Sequence, residues 1–109
     1  MNDNFKCMYK ILKTLEKAMD YTKYDFEVIN HENLGVSKER WNAYIEMLNE
    51  SGYIKGVRIK EYTDGEKLID VSEMRITLKG LEYLTENSLM QRIHNLAMGV
   101  KDISTGWNF

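Results

Sequence analysis

The stretch Ser37-Lys38-Glu39-Arg40-Trp41-Asn42-Ala43-Tyr44-Ile45-Glu46-Met47-Leu48-Asn49-Glu50-Ser51-Gly52-Tyr53-Ile54-Lys55-Gly56-Val57-Arg58-Ile59-Lys60 changes its hydrophobic period part-way, from helical to extended. Ser37 carries the hydroxyl that an N-cap needs, and Val36 before it is placed to act as an apolar staple. Trp41, Tyr44, Ile45 and Leu48 recur at i, i+3, i+4 and i+7 and predict one buried helical stripe. Gly52, after Ser51, stops that helix, because glycine reaches the left-handed conformation of a C-terminal cap without steric cost. Beyond it, Val57 and Ile59 alternate with basic residues, which predicts a strand over residues 53–62. Thr63-Asp64-Gly65-Glu66 supplies an Asp-Gly turn, and residues 67–72 form the return strand of a hairpin, continued after a kink by residues 73–78.

Upstream, Phe5, Met8, Tyr9, Leu12, Leu15 and Met19 have amphipathic spacing and predict a first helix over residues 5–20 with Asn4 as N-cap. Its lysines, Lys6, Lys10, Lys13 and Lys17, fall on the opposite face as a basic ridge. Cys7, Ile11 and Ala18 widen the apolar arc, so this helix is expected to touch neighbours on two sides. Residues 25–30 fit a brief strand or one helical turn equally well, and residues 31–36 read as a link to Ser37.

Downstream, residues 77–84 pass from strand into a short helix, and Asn87-Ser88 offers a new N-cap for a last one. Leu89, Ile93, Leu96, Val100 and Ile103 form one stripe of that final helix, which is expected to fold back on the first. Helix, link, helix, hairpin, helix is the order of an α+β winged helix-turn-helix domain: a three-helix core, a β-hairpin wing and a C-terminal amphipathic helix. One such domain over residues 1–103 is expected, with residues 104–109 as a tail carrying Trp107 and Phe109.

Composition agrees with a single folded domain. With 109 residues, 43% of them hydrophobic, the chain is long enough to bury roughly 60–70% of its unfolded surface without a disulfide or metal staple. Fifteen Lys+Arg against seventeen Asp+Glu give a net charge of −2, so no bulk positive field draws it to nucleic acid or a membrane surface. No apolar run approaches a bilayer span, the single cysteine has no internal partner, and residues 1–6 do not read as a secretion signal. A cytoplasmic protein is expected. Catalysis is not expected: His31 and His94 are far apart without metal-ligand spacing, and Cys7 reads as a small core residue. The seven glycines sit at caps, turns and junctions, so no phosphate-cradling loop, metal or cofactor is expected.

Four phrases carry a closer resemblance: Tyr9-Lys10-Ile11-Leu12, Leu34-Gly35-Val36-Ser37, Gly52-Tyr53-Ile54-Lys55-Gly56-Val57 and Leu78-Lys79-Gly80-Leu81-Glu82-Tyr83-Leu84-Thr85-Glu86-Asn87. On these the chain resembles the YjcQ family of small bacterial and bacteriophage-associated winged-helix proteins, from the first helix to about Val100. The resemblance implies a fold more than a function.

Two functions follow, from different classes. In the first, the chain binds double-stranded DNA as a regulator of phage or prophage type. Ser37, Lys38, Arg40 and Asn42 lie in the first turns of the helix before the wing, and Lys55, Arg58 and Lys60 give the first wing strand +3 over residues 53–60 with no acid. Three phosphate contacts give a salt slope of only about −2.7, so useful affinity calls for a dimer. The charge pattern restricts this reading. Glu39, Glu46 and Glu50 lie opposite the buried stripe with Asn42 and Ala43, so only the N-terminal end of that helix suits a groove. Residues 61–86 carry seven acids against three bases, so the wing tip is not basic. In the second reading, the acidic helix face, Leu89, Ile93, Leu96, Val100, and the Trp107/Phe109 tail meet a protein partner or a second copy in a homodimer.

Overall fold

The computed structural model describes residues 3–97, with side chains described for residues 4–87. Within these the chain is α+β: helices α1 (Asp3–Ala18), α2 (His31–Leu34), α3 (Lys38–Glu50) and α4 (Leu78–Ala97) with four short strands, compatible with a winged helix. Helix α1 begins and ends two residues earlier than its apolar pattern predicts. Asn4 therefore lies inside it, and its Oδ1 accepts bonds from Tyr44 Oη and Arg40 Nη1 of α3 instead of capping. Phe5 and Met19, the ends of the predicted stripe, are exposed, whereas Ile11, Leu12, Leu15 and Ala18 are fully buried. Each buried leucine or isoleucine contributes roughly 1.5–3 kcal/mol. Cys7 is buried, as its place on the apolar flank suggests.

The ambiguous stretch resolves as a single 3-10 turn, Phe26–Ile29, capped by Asp25 Oδ1 accepting from the Glu27 amide. The expected link contains a one-turn helix. Asn30 Oδ1 accepts from the Asn33 amide to start α2, and Gly35 at φ +72° ends it. Ser37 Oγ then accepts from the Arg40 amide as the N-cap of α3, and Val36 and Trp41 both pack against the core in staple positions. Trp41 Nε1 donates to the Ile29 carbonyl at 2.8 Å, tying α3 to the turn before α2.

Helix α3 ends in a complete Schellman arrangement. The Gly52 amide donates to Asn49 O and the Tyr53 amide to Leu48 O, with Gly52 at φ +80°. The chain then enters β1 (Ile54–Lys55), which pairs antiparallel with β4 (Arg75–Ile76). Beyond this root, β2 (Arg58–Glu61) pairs with β3 (Lys67–Asp70) as a separate two-stranded ribbon. The hairpin is thus two sections and not one pair of long strands. The break falls at Gly56, whose φ is +81° and where a Cβ would collide with the Glu73 carbonyl. At the tip only Gly65 has positive φ, and the Tyr62 amide donates to Glu66 O, so Thr63-Asp64-Gly65 forms a three-residue loop of the bulged kind.

The second correction lies at the C-terminal end. Asn87-Ser88 does not start a new helix: α4 runs unbroken through it, and Asn87 Nδ2 donates to Tyr83 O. The cap of α4 is Thr77, whose Oγ1 accepts from the Gly80 amide and donates to the Gly52 carbonyl at 2.6 Å. Gly80 is forced by contact: a Cβ there would strike the Tyr53 carbonyl and the Ile76 side chain. Helix α4 packs on α1 with Leu84 buried; the side chains of the stripe expected to make that contact, from Leu89 on, lie outside the described residues. One core cluster joins α1, α3, the wing root and α4.

Arg75 closes the other end of α1. Its guanidinium donates to the carbonyl of Ala18, the last residue of α1, and to those of Tyr21 and Thr22 just beyond it, at 2.9–3.4 Å, a cation placed at the negative end of the helix dipole. Two outcomes are expected in urea titrations. Replacing Gly56 with Ala costs roughly 2–3 kcal/mol from backbone strain plus collision. Arg75→Met costs about 1–3 kcal/mol, because three carbonyls lose a charged donor.

Candidate nucleic-acid interface

The residues expected to meet DNA arise on two elements, the first turns of α3 and the outgoing strands of the wing. Ser37 is exposed, but its hydroxyl is engaged as the α3 cap. Arg40 is exposed too, with its Nη1 donating at 2.9 Å to Asn4 of α1. Lys38 projects from the first residue of α3 and is exposed. Asn42 is half-buried, and its Oδ1 is enclosed with no hydrogen-bond partner. On the wing, Lys55, Arg58 and Lys60 are all exposed.

The wing does not stand clear of α3. Lys67 Nζ reaches both carboxylate oxygens of Glu46, at 3.0 and 3.1 Å, and so clasps β3 to the middle of the outward face of α3. A groove of about 550 Å³ remains between them, bordered by Lys38, Asn42 and Glu46 on α3 and by the Asp64–Lys67 tip. Cross-strand partners share a face of a ribbon, so Glu61, Lys67, Ile59 and Ile69 lie on the side turned to α3. Ile69 packs against the core, in keeping with that side. Arg58, Lys60, Leu68 and Asp70 lie on the other. The expected DNA-binding set is thereby divided, with Lys38 and Asn42 at the inner groove and Arg58 and Lys60 on the outer side of the ribbon.

Two of the wing cations expected to meet DNA have identified neighbours. Arg58 sits directly opposite Asp70. The Asp70 carboxyl is held below its ordinary value, first by the Ser72 backbone amide bonded to it at 2.9 Å, then by the Ser72 side chain, with a smaller contribution from Arg58. Lys60 Nζ lies 5.3 Å from the Tyr62 ring centroid, within cation–π range. Glu46 raises the pKa of Lys67, by its hydrogen bond and then by its charge. The ammonium therefore loses its proton at a higher pH than an ordinary lysine, and the clasp is lost as the pH rises through that raised value.

The acidic face of α3 is as its pattern predicts, with Glu39 and Glu50 exposed and Glu46 partly covered. The clasp itself was not anticipated, though a signal for it exists: Ile69 marks the inward side of β3, and Lys67 shares that side two residues earlier. The interaction stripe fares differently. Leu89, Ile93 and Leu96 fall within α4, but their side chains, with Val100, Trp107 and Phe109, lie outside the described residues. Among the described residues no three His, Cys, Asp or Glu side chains form a metal-holding group, and no helix is long and apolar enough to cross a membrane.

Lys67→Met is expected to leave global stability nearly unchanged, since solvent screens the exposed ammonium. It should nevertheless speed hydrogen exchange at the amides of β2 and β3 while leaving the α1 core unchanged.

Comparison with curated proteins finds no match, and comparison with solved structures finds none. A family model described as YjcQ protein does match, over residues 9–103, which runs from within α1 through the wing and α4. By that match across most of its length, the chain belongs to the YjcQ protein family.

Proposed function

We propose that this YjcQ-family chain is a DNA-binding winged-helix protein, a regulator of phage or prophage type, that docks on the duplex backbone through its wing. The observation that carries the reading is the exposure of Lys55, Arg58 and Lys60 along the outgoing strands, in a run of eight residues with no acid. Lys38, exposed at the start of α3, borders the inner groove and stands apart from these wing cations. The carboxylates of α3 and the clasp at Glu46 oppose burial of that helix along its length in a groove. Contact is therefore mostly to phosphates, with sequence preference confined to the N-terminal turn of α3. Three phosphate contacts from the wing correspond to a salt slope of about −2.7 and weak binding by one copy.

A second reading has its own support. The carboxylate-bearing face of α3, with the exposed Ile59 on the ribbon side turned to it, suits a protein partner or a second copy better than it suits phosphate. Fluorescence anisotropy with labelled duplex at low salt separates the two. The DNA reading requires binding, with about 2.7 of the slope removed in a Lys55→Met, Arg58→Met, Lys60→Met triple variant. No binding at low salt overturns it. Sedimentation of the whole chain against one ending near Val100 tests self-association; a monomer in both removes that part of the second reading.

A further inference from the structure

We infer that the groove between the lysine ridge of α1 and the segment 24–34 is a docking site for an acidic, amphipathic peptide segment of a protein partner. Lys10, Lys13 and Lys17 form one wall, and Tyr24, Val28 and Leu34 supply the apolar side, around a volume of about 390 Å³. No carboxylate lines it, although the chain as a whole carries more acids than bases. Lys13 is held by Glu16 at 2.9 Å, while Lys10 and Lys17 are exposed and make no ion pair among the described residues.

The ridge alone would be an ordinary solvated helix face. What distinguishes this surface is the apolar residues set beside it. Val28 is 52% exposed on the 3-10 turn, and Leu34 packs only partly against the core. These residues leave water on binding only if the ligand brings apolar groups of its own. A phosphate backbone brings charge and no such groups, whereas a peptide with carboxylates flanking an apolar stripe supplies both. The charge complementarity steers encounter, and the apolar contact supplies the salt-resistant remainder. This surface lies on α1 and the 24–34 segment, away from the wing cations, and does not depend on the chain binding DNA.

The test uses the whole chain and two fluorescein-labelled peptides with leucine and phenylalanine at helical spacing. One carries glutamate and aspartate at the remaining positions, and its twin carries lysine there. Anisotropy titrations at low salt should show the acidic peptide binding and the basic twin not binding. The Lys10→Glu, Lys17→Glu double variant should weaken the acidic peptide about tenfold, with that loss shrinking as salt rises. Val28→Asp should weaken it at every salt concentration, with the far-UV circular dichroism of both variants unchanged. Equal binding of the two peptides, or no effect of the lysine reversal, overturns the proposal. So does a duplex DNA that displaces the peptide and loses affinity in the lysine variant but not in Val28→Asp, which would assign the ridge to phosphates.

Discussion

The hydroxyl of Thr77 is the hinge pin of this structure. It donates to the Gly52 carbonyl, where α3 has just ended, and accepts from the Gly80 amide, where α4 begins. The Thr77 amide donates to Tyr53 O beside it, which extends the β1–β4 pairing. Three elements that diverge from one point are thus fixed by one side chain and its backbone. Gly52 is there because the Schellman turn needs positive φ, and Gly80 because α4 crosses directly over the Tyr53 carbonyl. The Tyr53 and Tyr83 rings, with centroids 4.9 Å apart, and Lys79 over the Tyr53 ring cover the joint. Burial, and then the neighbouring Tyr53, pushes the Tyr83 hydroxyl pKa up from its ordinary value.

From that fixed root the ribbon can leave in few directions, and Gly56 sets which. Its left-handed backbone breaks the strand and turns β2–β3 against α3, bringing Lys67 onto Glu46. The functional consequence is electrostatic. An acidic helix face that would repel a phosphate backbone is partly covered and partly neutralised by the wing, and the basic side chains of β2 are left on the outer side. The protein presents charge in patches: a basic wing strand, a basic α1 groove and an acidic α3 side, on a chain whose total is only −2.

Much of this arrangement can be read in the sequence, and the failures share a cause. Ser37, Gly52 and the Trp41–Leu48 stripe fix α3 because caps and period are local signals. The wing turn at Gly65 is equally local, as is burial of Cys7. The misjudged positions are those whose partners are distant. Asn4 has a good capping side chain, yet Tyr44 and Arg40, about forty residues away, claim it. Asn87-Ser88 looks like a cap, but α4 is already nucleated at Thr77 and continues through it. Arg75 donates to the Ala18 carbonyl at the end of α1, 57 residues away, a contact that no local period signals. The division of the DNA-binding set across the ribbon likewise depends on the direction of the wing, which no residue-level period encodes.

The seating of the wing on α3 is the claim on which the functional reading turns, and interproton distances report it directly. Nuclear Overhauser spectra of the whole chain should show cross-peaks between the wing-tip residues Gly65 to Lys67 and the α3 residues Asn42, Ala43 and Glu46. Cross-peaks confined within the ribbon and within α3, with none between them, would mean that the wing stands free and that the acidic face of α3 is open.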